Sequence, residues 1–287
     1  MDGELLRSGE KRSMSFSKYR VQANHGPYPP YHTGPYLEDY FHNFYHNLKN
    51  KPNREYIDIT WTACYNNEHT SGLQDELDTL DRNKQYFTVS QHDDAVKETL
   101  PEDTLCFNAG GNAGGIPIPL ICSPLTHFPT KQTKDILCSF VGSATHPIRT
   151  RMYEAVAHKD DCVVHLKNWS AAVAQDDFQH FINTANRSKF LLCPRGYGLN
   201  SFRLYEAFQL GCVPVIITDK FFLPWEDELD WSEFSVLIHE DMIPEIHDVL
   251  STIDDEYYHH MLNNGSKLYK DYFTLNGVCE QICRRIK

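Results

Sequence analysis

The chain has 287 residues, a formal net charge of −12 and 41% hydrophobic residues. This length and apolar content are sufficient for one large domain or two domains of ordinary size, each with its own core. The acidic balance argues against a nucleic-acid partner or an anionic membrane partner, because binding to either relies on clustered Lys and Arg.

The N-terminal residues 1–17 are polar and mixed in charge, which is typical of a disordered tail. They lack the apolar core of a signal peptide, and no apolar run in the sequence approaches the length of a transmembrane helix. The sequence therefore predicts a soluble, cytoplasmic chain.

Residues 18–130 are predicted to form a first Rossmann-like domain. An aromatic and Pro-rich stretch, residues 25–36, leads into a helix at Leu37–Leu48. The aromatic residues over 28–45 are more typical of core and loop packing than of a sugar-stacking surface. Short apolar runs separated by polar segments predict a small α/β sheet. These runs are Tyr56–Trp61, Tyr86–Val89, Thr104–Phe107 and Leu120–Cys122.

An acidic turn, His92-Asp93-Asp94, follows the second of these runs. Catalytic groups gather at the carboxyl ends of parallel strands, so a carboxylate here is a candidate general base. Adjacent side chains point in different directions, so at most one aspartate can serve, and Asp94 is favoured. The alternative is a helix N-cap followed by an acidic first turn. The fallback candidates are Glu68, His69 and His25.

A glycine-rich segment begins at Gly110 and Gly111, directly after the predicted strand Thr104–Phe107. Such a segment can present backbone N–H groups to a diphosphate or an acceptor, or it can simply form a flexible hairpin. The pattern leaves both interpretations open.

Residues 131–262 are predicted to form a second Rossmann-like domain after a linker at Pro124–Lys134. Its first elements are Ile136–Val141, a helix at Ile148–Ala157 and Cys162–Leu166. Residues 263–287 are predicted to be helical and to return to the first domain. The nine cysteines are scattered and contain no C-x-x-C pair, which predicts reduced core residues rather than disulfides or structural zinc.

The most informative segment is a βαβ unit over residues 189–219. A strand at Phe190–Cys193 is followed by a loop with Arg195, a helix that opens at Ser201, and a second strand at Val213–Thr218. Backbone N–H groups, the Ser201 hydroxyl and the guanidinium of Arg195 converge there, as an anionic diphosphate requires.

The helix of this unit carries two further charged residues, Arg203 and Glu206. Arg203 adds a second guanidinium at the phosphate position, and Glu206 can accept hydrogen bonds from the vicinal hydroxyls of a ribose. Together they predict a nucleotide. The alternative is an ordinary crossover in which the two residues form a solvated i,i+3 pair.

Several nucleotide motifs are absent from the sequence. Neither G-x-G-x-x-G nor G-x-x-x-x-G-K-[ST] occurs, which excludes the dinucleotide fingerprint and the P-loop and favours a nucleotide-sugar. No two aspartates are two positions apart, so no Asp-X-Asp is available to hold a diphosphate through a metal ion. We therefore expect no metal and no cofactor beyond the co-substrate, with arginines and backbone dipoles meeting the negative charge.

The stretch from Leu192 to Ile216, with its Cys-Pro-Arg-Gly, Ser-Phe-Arg, Glu-Ala and Gly-Cys-Val-Pro-Val-Ile blocks, resembles the signature of the exostosin-like (family 47-like) glycosyltransferases. Further matches are Ser139–Ser143, His146–Arg149, Leu223–Ser235, Tyr86–Asp94 and Gly110–Pro119. The short chain and the Gln91–Asp94 block are more similar to members in large DNA viruses, such as chlorella-virus xylosyltransferases, than to animal exostosins.

The resemblance implies an α/β protein with two Rossmann-like domains facing a cleft, the glycosyltransferase B fold. It also implies metal-independent, inverting transfer of a sugar from a UDP-sugar, with UDP-xylose favoured, to an oligosaccharide or glycoprotein glycan. It carries over Arg149 as a donor contact, beside Gly142 and Ser143, and leaves Tyr197 or Leu199 to line the base pocket. A retaining B-fold enzyme and a catalytically silent exostosin-like partner subunit are the alternatives.

Cellular members of this family are usually anchored in the Golgi membrane. The present sequence departs from them, which implies a cytosolic enzyme of a cell or virus, or a truncated protein.

Overall fold

The computed structural model describes residues 16–22, 36–121, 125, 132–170 and 173–286. The first half contains strands β1 Glu55–Tyr56, β2 Tyr86–Ser90, β3 Leu105–Asn108 and β4 Ile116–Pro117, and helices α1 Leu37–His46, α2 Trp61–Asn66 and α3 Leu73–Asp78. These strands form one parallel sheet in the order β1-β2-β3-β4.

The second half contains strands β5 Ile136–Ser143, β6 Cys162–Lys167, β7 Ser188–Pro194, β8 Val213–Thr218 and β9 Val236–His239. Its helices are α4 Pro147–Val156, α5 Gln175–Arg187, α6 Phe202–Gln209 and α7 Ile246–Thr252. The strands form a parallel sheet in the order β6-β5-β7-β8-β9. Every residue of β8 is buried, because helices cover both faces of a parallel sheet.

The aromatic residues of α1 belong to the core of the first half. The Phe41 ring meets the Phe87 ring of β2 edge to face, with centroids 6.0 Å apart, and Phe87 stacks on Tyr56 at 5.0 Å. Phe41 and Phe87 are fully buried. The part of the 28–45 stretch that the structure describes therefore packs as core, and residues 28–35 lie outside the described residues.

The two C-terminal helices are α8 Asp255–Tyr272 and α9 Leu275–Arg285. Helix α9 buries Val278 and Ile282 in the same hydrophobic cluster as Leu37 and Phe41 of α1. A turn capped by Thr274, whose hydroxyl accepts the Gly277 N–H at 3.1 Å, separates α9 from α8. The chain thus returns to the first half through α9, a helix that the apolar pattern alone did not separate from α8.

Two predicted strands are wrong. Within Tyr56–Trp61 only Tyr56 belongs to strand β1, and Trp61 instead begins α2, where its buried indole Nε1 donates to Thr88 Oγ1 at 2.7 Å. Leu120 and Ile121 are not in a strand either, and the edge strand is Ile116–Pro117.

Some predicted features fall wholly or partly outside the described residues. They include His25, most of the linker Pro124–Lys134 and residues 1–15 of the predicted tail. Phe16 is described and is buried, so packed structure begins before the predicted tail ends. The described cysteines are free, and none of the described helices has both the length and the apolar character needed to span a bilayer.

Replacing Ile282 tests the packing of α9. Ile282 is fully buried, so Ile282→Ala should lower the free energy of unfolding by about 2–5 kcal/mol, whereas exposed Glu280→Ala should change it by no more than about 0.5 kcal/mol. Urea unfolding of both variants is the measurement. Equal, small effects would show that α9 does not dock on α1 in solution.

Candidate functional site

The strand order of the second sheet creates a crevice at the carboxyl ends of β5 and β7. The connections leaving these neighbouring strands lie on opposite faces of the sheet, and ligands of open α/β sheets bind at such a switch point. A cavity of about 260 Å³ lies there. Among the predicted donor-binding residues, those that line it are Gly142, Ser143, Arg149, Tyr197, Ser201, Arg203 and Glu206.

Arg203 and Glu206, in the first two turns of α6, form an ion pair in the cavity wall. The Arg203 guanidinium donates from Nη2 to the Val141 carbonyl at 3.0 Å and lies 3.8 Å from the centre of the Phe181 ring. Glu206 is only 3% exposed, so the alternative of a solvated pair is wrong. A desolvated pair needs such additional contacts to be held in place.

Arg149 joins the loops that follow β5 and β7. Each of its three nitrogens donates to a carbonyl oxygen: Nη1 to Ser143 at 2.8 Å, Nε to Arg195 at 3.0 Å and Nη2 to Pro194 at 3.3 Å. Its side chain lines the cavity. Arg149 therefore fixes the shape of the crevice and places a positive charge in its wall.

The structure does not bring Arg195 into the cavity wall. Its guanidinium is 10% exposed and pairs with Asp219 at 2.5 Å, just beyond the carboxyl end of β8. Nη2 also donates to the Tyr197 carbonyl at 2.9 Å. The Arg195 side chain thus holds the loop after β7 in place. The sequence pattern did not indicate its pairing with Asp219.

Ser201 and Tyr197 occupy the predicted loop in different ways. Ser201 is the buried N-cap of α6, makes no side-chain cap bond and lines the cavity. Tyr197 is 61% exposed at the cavity. Leu199 is not among the described residues that line it.

One part of the cavity wall was not predicted from the sequence: it is formed by the end of β6, the residues after it and the start of α5. Lys167 pairs with Asp177 at 2.7 Å, and Trp169, 61% exposed, stands beside them. Their position directly after a predicted strand is the signal that could have identified them. Aromatic and aliphatic side chains complete the wall: Phe140, Val173, Phe178 and Phe181. The cavity thus combines an apolar part with cationic side chains.

One carboxylate of the first half, that of Asp93, also lines the cavity. Asp93 is half-buried just beyond the carboxyl end of β2. Burial and, to a smaller extent, the neighbouring Asp94 charge raise its pKa, the Arg195 charge lowers it, and the net result is a pKa of about 6.

A backbone hydrogen bond joins the two halves at this point: Leu199 donates to the Gly110 carbonyl at 2.8 Å. Within the first half, Asn112 donates to the Asp93 carbonyl at 3.0 Å and joins the loops after β3 and β2. A Cβ at Gly110 would clash with the Asp93 backbone, and one at Gly198 would clash with the Asp93 carboxylate. Close packing of three loops therefore requires glycine at both positions.

This packing accounts for Gly110 and Gly111 better than the predicted diphosphate contact does. The Gly110 N–H donates to Asn108 Oδ1 at 3.1 Å, and Gly111, with φ +90°, packs against Phe222. Neither glycine is among the described residues that line the cavity.

The other candidate bases lie away from the cavity wall. Asp94 accepts from Asn112 Nδ2 at 3.1 Å, a bond that lowers its pKa, and it pairs with Lys97 at 3.5 Å. His92 accepts the Asp94 N–H at 3.2 Å, and burial lowers its pKa. The fallback residues Glu68 and His69 are exposed after α2. The geometry thus favours Asp93 over Asp94.

A buried carboxylate, that of Glu38, supports the loop of Asp93 from behind. Glu38 Oε1 accepts the Gln91 N–H at 2.6 Å and the Thr62 hydroxyl at 2.7 Å, and Gln91 Oε1 accepts the Leu37 N–H at 2.8 Å. Burial raises the pKa of Glu38 to about 7. These hydrogen bonds join the start of α1 to the loop that carries Asp93.

Two parallel sheets whose carboxyl ends contribute to one cavity define an α/β protein of two Rossmann-like units facing a cleft, which confirms the predicted fold class. The model of the exostosin GT47 domain matches residues 108–253, or 146 of the 287 residues and just over half of the chain. The chain belongs to the exostosin GT47 family.

Curated relatives match between about a third and a half of the chain. A probable glycosyltransferase of Arabidopsis thaliana is 29% identical over 153 residues, 53% of this chain and 28% of the relative. Exostosin-1 of Drosophila melanogaster is 34% identical over 95 residues, 33% and 12% of the two chains. The probable beta-1,4-xylosyltransferase IRX10 of Arabidopsis thaliana is 37% identical over 84 residues, 29% and 20%. This chain spans less than a third of each relative.

Two solved glycosyltransferase structures are weakly similar. TarM has a TM-score of 0.40 and 8% identity over 72% of this chain and 55% of that chain. The pneumococcal O-GlcNAc transferase GtfA, solved with UDP and GlcNAc, has a TM-score of 0.41 and 11% identity over 83% and 50%. Similarity at this level bears on no functional statement.

The raised pKa of Asp93 predicts a pH dependence of stability. The folded pKa, about 6, exceeds the ordinary value of 3.8, so the stabilising contribution is complete below pH 4 and is lost as the pH rises through about 6. Asp93→Asn should therefore flatten the fall in unfolding free energy between about pH 4 and 7.

Asp94→Asn is the matched control. The lowered pKa of Asp94 gives a contribution that is present above its ordinary pKa of 3.8 and is lost only as the pH falls below it. Asp94→Asn should therefore change the slope of the unfolding free energy below about pH 4, and between about pH 4 and 7 it should keep the Asp93 transition but shift it to lower pH, because the Asp94 charge raises the pKa of Asp93. Urea unfolding across this pH series measures both, and the Glu38 contribution is common to all variants. Identical pH profiles of the unfolding free energy for wild type and Asp93→Asn between about pH 4 and 7 would contradict a raised pKa of the half-buried Asp93 carboxyl.

Proposed function

We propose that the chain is a glycosyltransferase that moves a sugar from a UDP-sugar to a hydroxyl of a glycan acceptor. The observation that carries the proposal is the pairing of groups in one cavity. Asp93 comes from the first half, and the Arg203–Glu206 pair comes from the second. Membership of the exostosin GT47 family supports it.

The donor fits the chemistry of the cavity wall. The apolar part, which includes Phe178 and Phe181, suits the flat face of a nucleobase. The start of α6 and the guanidinium of Arg203 suit a diphosphate, and Arg149 and Lys167 add positive charge.

Glu206 suits the ribose. It lies about one helical turn into α6, in the cavity wall, so its carboxylate is within the same wall as the phosphate-binding groups. In this proposal the ribose hydroxyls donate to Glu206, whose carboxylate is positioned by its ion pair with Arg203.

Asp93 is the proposed general base, in place of Asp94. It faces the cavity from the half opposite to the diphosphate groups, so it can accept the proton of an acceptor hydroxyl while UDP leaves from the other side. This arrangement corresponds to an inverting displacement. With a pKa of about 6, the carboxylate is largely ionised at neutral pH and still basic enough to take a proton.

The rival activities differ in measurable ways. A retaining enzyme needs no enzymic base, so the anomeric configuration of the product separates it from the proposed reaction. A silent partner subunit would show no transfer with any donor. UDP-xylose is the first donor to test, followed by UDP-glucuronate, since relatives are named as a xylosyltransferase and as glucuronosyltransferases.

Glu206→Gln tests the donor site without removing the side chain. Loss of a charge-assisted hydrogen bond to the ribose should weaken UDP binding by roughly ten- to a hundredfold, about 1.5–3 kcal/mol. Calorimetry is run in EDTA, because the cavity meets the diphosphate with cationic side chains and we expect binding without metal.

The exposed Glu226→Gln serves as the control and should bind UDP like wild type. Complete loss of UDP binding by the wild-type protein in EDTA would contradict a metal-independent donor site. Unchanged UDP affinity in folded Glu206→Gln would assign Glu206 a purely structural role.

Asp93→Asn tests the base. Transfer should fall by about 10²–10⁴-fold while UDP affinity stays close to wild type, because the residue belongs to the acceptor side. In wild type the transfer rate should rise with pH through about 6, as the carboxyl ionises, and then level off. Asp94→Asn is the adjacent control and should retain most activity. The opposite ranking of the two variants would return the role to Asp94.

A further inference from the structure

A second cluster of chemically reactive side chains lies on the first half, away from the cavity. His42 and His46 are one turn apart on α1, and Asp58 follows β1. His42 Nδ1 lies 2.6 Å and His46 Nε2 lies 3.0 Å from the same atom, Oδ2 of Asp58. The three atoms all lie within 4.8 Å of one another.

The local fold holds these side chains in place. Histidines at i,i+4 share one face of a helix, and the other face of α1 is fixed because Phe41 and Tyr45 are buried. Asp58 is held next to Ile57, whose N–H donates to the Phe87 carbonyl at 2.9 Å. The cluster is therefore preorganised.

The net charge of the groups around the cluster is negative and therefore favours a cation. Arg20 lies 3.3 Å from Asp58 Oδ1 and 3.4 Å from Asp39 Oδ1. With neutral imidazoles, one guanidinium faces two carboxylates, so the net charge is −1. Oδ1 of Asp58 is buried and has no hydrogen-bond partner among the described residues.

We propose that His42, His46 and Asp58 bind a divalent transition-metal ion, with zinc the best match. Two imidazole nitrogens and one carboxylate oxygen are ligands that zinc accepts, and water completes a tetrahedral site. Tetrahedral ligands about 2.0–2.1 Å from zinc lie roughly 3.3 Å apart, so the two N···O pairs must separate by less than about 1 Å. In the bound form each neutral imidazole coordinates through the nitrogen that faces Asp58 and carries its single proton on the other ring nitrogen.

The ion would join α1 to the segment between β1 and α2. None of its three ligands is among the described residues lining the cavity, so it is a structural ion and is independent of how the donor is bound. Because α1 also carries Glu38, which holds the loop of the base, the ion would stabilise the acceptor side of the cleft.

Cobalt and zinc titrations of chelator-stripped protein test the site. We expect one ion per chain, a tetrahedral cobalt spectrum without a thiolate band, and a higher thermal unfolding midpoint with zinc. His46→Ala and Asp58→Asn should each lose more than the roughly 10–100-fold in affinity that loss of an outer-shell partner costs. Binding should weaken on acidification, as the imidazoles take up protons.

His247→Ala is the matched control, because Asp161, Cys162 and His247 form the other described group with converging ligand atoms. It should leave binding unchanged. A cobalt spectrum with a thiolate band that disappears in His247→Ala would move the site there and overturn the proposal. Absence of stoichiometric binding, or binding that survives in both His46→Ala and Asp58→Asn, would also overturn it.

Discussion

The site depends on the backbone junction at which the loops of both halves meet. The hydrogen bond from Leu199 to the Gly110 carbonyl places the loop after β7 against the loop after β3, and the bond from Asn112 to the Asp93 carbonyl joins that loop to the loop after β2. Buried peptide groups are costly to leave unpaired, so these bonds fix the register between the loops. Gly198 lets the junction form, because any Cβ there would displace the Asp93 carboxylate.

The junction explains why the fold was more predictable than the roles of single residues. Strands β2, β3, β5, β6, β7 and β8 are apolar runs of sequence, and local pattern was enough to place them near their observed bounds. The apolar run at Tyr56–Trp61 failed, because the indole of Trp61 found a buried partner, Thr88, that is distant in sequence. Periodicity contains no information about such a partner.

The same limit applies to the charged residues of the site. Local spacing correctly brought Arg203 and Glu206 together, because residues three apart on a helix are neighbours. It could not show that Arg195 would pair with Asp219, which lies just beyond the end of the next strand, β8. It also could not separate Asp93 from Asp94, since their difference arises from the residues of other loops that surround each carboxylate.

The Arg203–Glu206 pair gives the cavity a specific electrostatic character. A lone guanidinium in a half-buried wall would carry a large desolvation cost, which Glu206 and the Val141 carbonyl offset. The charges of the pair nearly cancel at long range, so the pair attracts a dianion mainly at short range. There the guanidinium is the more accessible partner, because Arg203 is 23% exposed and Glu206 only 3%. In the proposed donor site, a ligand with a diphosphate and vicinal hydroxyls would engage both partners at once, whereas inorganic phosphate would engage only one. Keeping the two charges together would therefore favour a nucleotide over free phosphate.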